Sequence, residues 1–222
     1  MPKQVIIFIA PPGAGKGTQA DLIAGKFGLK HIETSKLIEH KFKTADSSDE
    51  KISEEKKKWL EGKLVDPLLF AGWFNEEVGE SVSRGRGIVT SGSLRTLEES
   101  KIILPELERL YGKDGITIFY ITLSEAESIQ RNSSRRICQL NRHPIPGFPQ
   151  YRDLVACPQD GSPLIARELD KPEIIKKRYR VYLEDTAPVL DYLRAGGYKV
   201  IEINGEQPIG SVAEDILKYL KN

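Results

Sequence analysis

Ile6-Ile7-Phe8-Ile9-Ala10-Pro11-Pro12-Gly13-Ala14-Gly15-Lys16-Gly17-Thr18 joins an apolar run to a glycine-rich turn and then to a helical pattern. Val5 to Ala10 is apolar without alternation, which predicts a central parallel strand covered on both faces. Pro11 and Pro12 end it. Gly13, Gly15 and Gly17, with Ala14 between the first two, let the backbone pass close to a bulky anion, its N–H groups turned inward over a helix N-terminus. Lys16 adds a full positive charge with a reach suited to β- and γ-phosphates. The turn reads as a phosphate cradle, since three glycines, a lysine and a threonine between a buried strand and a helix have little purely structural rationale. It departs from the strict G-x-x-x-x-G-K-[ST] pattern, with Ala10 at the first glycine and Gly17, followed by Thr18, in the Ser/Thr slot.

Outward from the turn, strands and helices alternate. Thr18 to Phe27 is an amphipathic helix closed by Gly28, and His31 to Glu33 is a short strand. Lys36 to Leu60 is polar and helical in pattern, with Lys56 to Lys58 solvated and Trp59-Leu60 as its apolar anchor. Asp66-Pro67 starts a helix that ends near Gly85, Gly87 to Ser91 is a strand, and Glu98 to Tyr111 is a helix. Ile116 to Leu123 is a strand and Ser124 caps the next helix, which runs to about Arg136. Asn141 to Ser162 is irregular and rich in proline and glycine, as a functional lid would be. Asp170 to Leu193 reads as one long helix, Lys199 to Ile203 as the last strand and Pro208 to Leu220 as the last helix. This alternation predicts an α/β fold with a doubly wound, five-stranded parallel sheet.

A chain of 222 residues is long enough for one such core with one or two inserted lobes. A net charge of +1 with 29% charged residues argues against a nucleic-acid or membrane binder and points to small partners. Two cysteines, no signal pattern and no long apolar stretch predict a cytoplasmic protein without disulfides.

Pro11 to Gln19, P-P-G-A-G-K-G-T-Q, resembles the P-loop of adenylate kinases and related nucleoside monophosphate kinases. The resemblance extends along the chain. His31-Ile32-Glu33-Thr34 is similar to the H-I-S-T segment opening the monophosphate lobe, Gly62-Lys63-Leu64-Val65 to the G-K-L-V segment beside the acceptor base, and Ser91 to Thr96 to D-G-F-P-R-T. Arg131, Arg135 and Arg136 match arginines that cover the triphosphate, and Arg167, Asp170 to Glu173 and Arg178 match a second arginine pair. The resemblance implies a core over residues 1–33, 67–136 and 167–222, a helical monophosphate-binding lobe over 34–66 and a lid over 137–166. It implies Lys16, Arg95, Arg135, Arg167 and Arg178 as catalytic residues. For ATP it implies Gly13 to Thr18, Arg131, Arg135 and Gln207. For the acceptor it implies Thr34, Lys63, Leu64, Val65, Gly92, Arg95, Glu99, Arg167 and Arg178.

The expected reaction is transfer of the γ-phosphoryl of ATP, with Mg²⁺, to a nucleoside monophosphate, AMP foremost, by a monomer. Departures from the pattern raise two alternatives, a nucleotide-binding sensor and a kinase with a changed acceptor such as GMP. Ser35, Lys36 and Glu39 stand where the family has glycine, aspartate and a phosphate-gripping arginine, and Ser91 replaces an aspartate that would orient water ligands of Mg²⁺. Glu99 matches a glutamine that reads adenine; a carboxylate only accepts, which suits guanine better. In the lid, Cys138-Gln139-Leu140-Asn141 and Cys157-Pro158-Gln159-Asp160 resemble a degraded zinc knuckle with Cys138, Cys157 and Asp160 as ligands and His143 as a stand-in. A metal-free knuckle, with Asn141 bonded to Asp160 and the cysteines packed as small hydrophobes, is the expectation. His31 and His40 read as ordinary surface or lobe residues.

Overall fold

The computed structural model describes residues 4–46, 48–147 and 149–220. The ends of the expected core, 1–3 and 221–222, Ser47 of the expected lobe and Phe148 of the expected lid lie outside the described residues. In chain order the main elements are β1 (Val5–Ile9), α1 (Lys16–Phe27), β2 (Lys30–Glu33), α2 (Thr34–Thr44), α3 (Glu50–Leu60), α4 (Pro67–Ser83), β3 (Ile88–Ser91), α5 (Leu97–Tyr111), β4 (Ile116–Thr122) and α6 (Glu125–Ser133). Then follow β5 (Arg136–Cys138), β6 (Pro144–Ile145), β7 (Leu164–Ile165), α7 (Pro172–Val181), α8 (Ala187–Ala195), β8 (Val200–Asn204) and α9 (Ile209–Leu217).

The sheet has the order β2-β3-β1-β4-β8, all parallel, with Val5 level with Ile88 on one side and Ile116 on the other. β1 is buried along its whole length because both faces are covered. Val5, Ile7 and Ile9 enter a core with Phe74 of α4, Ile103 and Leu107 of α5 and Leu193 of α8. Ile6 and Phe8 enter the opposite core with Ala20 and Ile23 of α1 and Val212 and Ile216 of α9. Parallel strands bring their carboxyl ends to one edge, where β1 and β3 lead into the loops that carry Lys16 and Arg95. Among the described residues no helix is long and apolar enough to cross a membrane.

Three sequence expectations change. The pattern from Lys36 to Leu60 is two helices, because Asp49 accepts the N–H of Ile52 at 3.1 Å and caps a second start. Trp59 is the anchor there, in edge contact with Phe42, whereas Leu60 is 46% exposed. The helix expected from Asp170 to Leu193 starts at Pro172 and is interrupted by a π-turn over Tyr182–Thr186 ahead of Pro188, whose missing N–H breaks the regular ladder. Thr186 Oγ1 in that turn donates to the carbonyl of Arg95 at 2.9 Å and ties the turn to the Arg95 loop. A small antiparallel sheet, β6-β5-β7, brackets the irregular stretch, with β6 inside it and β5 and β7 on either side.

Candidate active site

The glycine turn lies between β1 and α1 as the sequence predicts. Gly13 has φ 82°, and a Cβ there would stand 2.4 Å from Asn132 Nδ2, so that position disfavours any side chain. No side chain caps α1, whose first N–H groups are thereby left to a ligand at the turn. Lys16 Nζ donates to the carbonyls of Ala10 and Pro11 at 2.8 and 2.9 Å. Burial, and then repulsion from Arg95, Arg178 and Arg135, hold its pKa well below the ordinary lysine value.

Two cavities meet at this lysine. The larger encloses about 1440 Å³ of empty space against the glycine turn, Arg131 and Arg135. The smaller, about 680 Å³, is lined by Trp59, Gly62, Lys63, Leu64, Gly92 and Ser93 among others. Pro12, Lys16, Ser35, Arg95, Arg167 and Arg178 belong to the walls of both. Gly62, at φ 85°, lets its loop press on the long arginine, a Cβ there standing 3.1 Å from Arg178 Cγ. A pair of pockets joined by a cluster of cations has room for two anionic ligands with their charged ends facing each other.

The cluster is held by few anions. Asp170, buried, takes Arg135 in a bidentate pair at 2.9 and 2.6 Å, and Arg178 Nη1 stands 3.9 Å from it. Arg95 Nε donates to the Gly92 carbonyl at 2.5 Å, and Arg178 Nη1 to that of Leu169 at 3.3 Å. Burial lowers the pKa of Arg178 to about 9 and that of Arg167 to about 10, with neighbouring arginines adding to both shifts. Arg167 Nε is buried without a partner among the described residues. A donor in that state, amid mutually repelling cations, marks a site built to take an anion.

Other expected residues fall differently. Arg131 lines the larger cavity, tied to Glu127 at 2.6 Å and the Gly205 carbonyl at 3.0 Å. Arg136 does not cover the cradle: its guanidinium is spent on the carbonyls of Tyr151, Arg152 and Leu154. Gln207 bonds Asn204 and Asp215, and neither it nor Ala14, Thr34 or Val65 is among the residues lining the two cavities. Thr34 Oγ1 is nonetheless buried and unpartnered among the described residues. Glu99 also stands behind the lining, its Oε1 accepting the Leu94 N–H at 2.5 Å and the Arg95 N–H facing the same carboxylate. Burial raises its pKa to about 7. Lys36 is paired with Glu33 at 3.1 Å and is not among the residues lining the two cavities.

Sequence reading missed the company that Ser91 keeps. His31 Nδ1 is 2.7 Å from Asp21 Oδ1, and its Nε2 is 2.8 Å from Ser91 Oγ. With Nδ1–H given to the carboxylate, Nε2 accepts the serine proton and Ser91 keeps its lone pairs for the wall of the larger cavity. Histidine and aspartate lie on different elements, so only folding joins them. Arg142 is a second omission: it lines the same cavity from the knuckle turn.

The knuckle gathers four donors, Cys138, His143, Cys157 and Asp160, whose ligand atoms lie within 4.8 Å of one another. His143 Nδ1 is 3.5 and 3.4 Å from the two sulfurs, and Asp160 Oδ2 is 3.2 Å from both Cys138 Sγ and His143 Nδ1. Edges of roughly 3.3–3.8 Å are what tetrahedral Zn–S and Zn–N/O bonds generate, so two thiols, an imidazole and a carboxylate fit zinc. The His143 N–H to Cys138 Sγ at 3.1 Å and the Asn141 amide to Asp160 at 3.0 Å orient the donors. The expected Asn141–Asp160 bond is present, alongside a histidine placed as a fourth ligand.

The sequence model described as "Adenylate kinase" matches residues 8–198. An adenylate kinase from Kosmotoga olearia is 33% identical, covering 98% of this chain and 99% of its own length. Adenylate kinases from Methanothrix thermoacetophila and Thermosipho africanus are 31% and 30% identical, each over 97% of this chain and over 97% and 99% of their own lengths. Matched in sequence along nearly its whole length, this chain belongs to the adenylate kinase family, phosphotransferases that use a phosphate group as acceptor.

Proposed function

We propose that this protein moves the γ-phosphoryl group of ATP, delivered with Mg²⁺, to a nucleoside monophosphate, AMP foremost. The observation that carries the reading is the set Lys16, Arg95, Arg167 and Arg178 shared by both cavity walls, with a buried, unpartnered Arg167 Nε among them. Phosphoryl transfer leaves little covalent work to the protein, so convergent positive charge and alignment are its means of catalysis. The glycine turn and Lys16 hold the donor phosphates and Arg131 clamps the donor nucleotide. Arg135, Arg167 and Arg178 neutralise the migrating group, and Arg95 places the acceptor. Mg²⁺ arriving with ATP would neutralise charge on the donor phosphates, and Ser91, oriented by His31, which is itself bonded to Asp21, would be the hydroxyl nearest to the role of the aspartate it replaces at the end of β3. Residues 137–166 act as the lid and 34–66 as the acceptor lobe, closing to exclude water.

A coupled assay for ADP formation with ATP, Mg²⁺ and AMP, GMP, CMP or UMP tests this. Turnover with AMP above the others is expected, and no ADP with any acceptor overturns it. A second reading, a nucleotide sensor without turnover, is favoured by Glu39 holding Arg167 Nη2 at 3.3 Å; it predicts binding of ATP with no ADP formed.

We also propose that Cys138, His143, Cys157 and Asp160 hold a structural zinc, against the metal-free knuckle that sequence favours. Support comes from four donor atoms gathered within 4.8 Å of one another and from His143, which replaces a ligand that Asn141 cannot supply. Zinc would cross-link the knuckle and take no part in the chemistry.

A further inference from the structure

Glu39 is a glutamate where the family resemblance implies a phosphate-gripping arginine, and the structure shows what comes with the inversion. Its carboxylate on α2 is shared, Oε1 accepting from Arg167 Nη2 at 3.3 Å and Oε2 paired with Arg142 Nη1. Arg142 sits in the knuckle between Asn141 and His143 with φ 59°, one of two non-glycine residues in the left-handed region among the described residues. Its N–H bonds the Cys138 carbonyl at 3.1 Å, so the arginine is mounted on the knuckle while its guanidinium reaches α2. Arg142 lines the larger cavity and Arg167 lines both, so the pair stands where the two cavities meet. The pKa of each is lowered to about 10, by burial first and then by a neighbouring guanidinium, Arg167 in the case of Arg142.

We infer that Arg142 grips the acceptor phosphate from the lid, in place of the arginine absent at position 39, and that Glu39 is the positioning residue holding Arg142 beside Arg167. Two guanidinium groups side by side repel one another, and one carboxylate between them relieves this while leaving the trio with a net positive charge for a phosphate dianion. Glu39 thus removes a cation from the acceptor lobe and recruits one from the lid. That anion site is complete only when lid and lobe lie together, so acceptor binding and lid closure become energetically coupled through three side chains. The inference rests on the proposal that the acceptor is a nucleoside monophosphate.

Calorimetric titration of AMP, adenosine and a non-hydrolysable ATP analogue into wild type, Arg142→Ala, Arg142→Lys and Glu39→Gln tests it, with thermal melts to check folding. A wild type that does not prefer AMP over adenosine overturns the acceptor reading and this inference with it. Given that preference, Arg142→Ala should weaken AMP about tenfold or more, the loss of one charge-assisted contact, while adenosine stays within about twofold. Arg142→Lys should recover part of the loss, because it keeps the charge without the planar fork. Should Arg142→Ala melt early, Arg142→Lys and Glu39→Gln carry the test, each expected to weaken AMP about threefold or more with adenosine unchanged. Unchanged AMP affinity, equal losses for AMP and adenosine, or a larger loss for the ATP analogue than for AMP overturns the role of Arg142. Tighter AMP binding by Glu39→Gln overturns the role of Glu39, since the carboxylate would then be a rival anion.

Discussion

Asp170→Asn should destabilise the unliganded protein and do so less when the phosphate site is filled. Asp170 is buried, with its side chain 4% exposed, and it anchors Arg135 through two hydrogen bonds with Arg178 Nη1 3.9 Å away. At a charge separation of about 4 Å and an effective dielectric constant near 20, one such pair is worth about 4 kcal/mol. Removing one partner of a buried pair costs about 3–5 kcal/mol, chiefly because the other charge is left uncompensated. Asparagine keeps the shape and one acceptor, so the low end applies, and a loss of about 3 kcal/mol lowers Tm by roughly 6–12 °C in a chain of this size. A bisubstrate analogue that joins two nucleosides through a phosphate chain would bring anions to the same arginines. Differential scanning calorimetry with and without that analogue should show the gap between variant and wild type narrowing when it is bound. A variant melting within about 2 °C of wild type, or a gap indifferent to the analogue, refutes the assignment of Asp170 as counter-ion of the arginines proposed to bind phosphate.

Lys16→Met should lower kcat by about 10²–10³, the cost of one preorganised charge in the transition state, with an unchanged melting temperature because no core volume is lost; unchanged turnover would reject the cradle. Glu99 has a folded pKa of about 7, raised by burial above its unfolded value, so the native state gains stability below pH 4–5 and loses it as pH rises through 7. Glu99→Gln should therefore be more stable than wild type at pH 8 by about 3 kcal/mol and nearly equal to it at about pH 4, as read from urea unfolding at both values. Because that carboxylate is turned to the Leu94 N–H, the ratio of kcat/KM for GMP over AMP should not change; a shift toward AMP would show that Glu99 reads the base. Metal analysis of protein purified without chelator should find about one zinc per chain, lost together with several degrees of Tm in Cys138→Ser; absence of metal in wild type supports the metal-free knuckle.

Much of the fold was legible because its signals are local. An unbroken apolar run, two prolines and three glycines specify a buried strand and an anion-binding turn whatever surrounds them, and helix starts at Asp66 and Ser124 were legible as caps. The break between α2 and α3 was missed since Asp49 competes with a helical pattern that is merely polar, and Leu60 was misjudged because periodicity does not tell which of two adjacent apolar residues faces in. Lys16, Arg95, Arg135, Arg167 and Arg178 were named from spacing and resemblance, and the structure brings all five together. Arg136 was named with them and is instead tied to the loop at Tyr151 to Leu154, since an adjacent residue on a short strand points the other way.

By itself the sequence determined the strand–cradle–helix unit, the alternation that makes the sheet parallel, and the inventory of cations, since each depends on neighbours a few residues apart. The tertiary structure decided the pairings: Ser91 with His31, and His31 with Asp21, Glu39 with Arg142 and Arg167, Glu99 with the Leu94 N–H, and His143 with the thiols of Cys138 and Cys157. Charge and hydrogen-bonding capacity are written in residue types, but which partner satisfies them depends on distance and burial, and these arise only when the chain closes on itself.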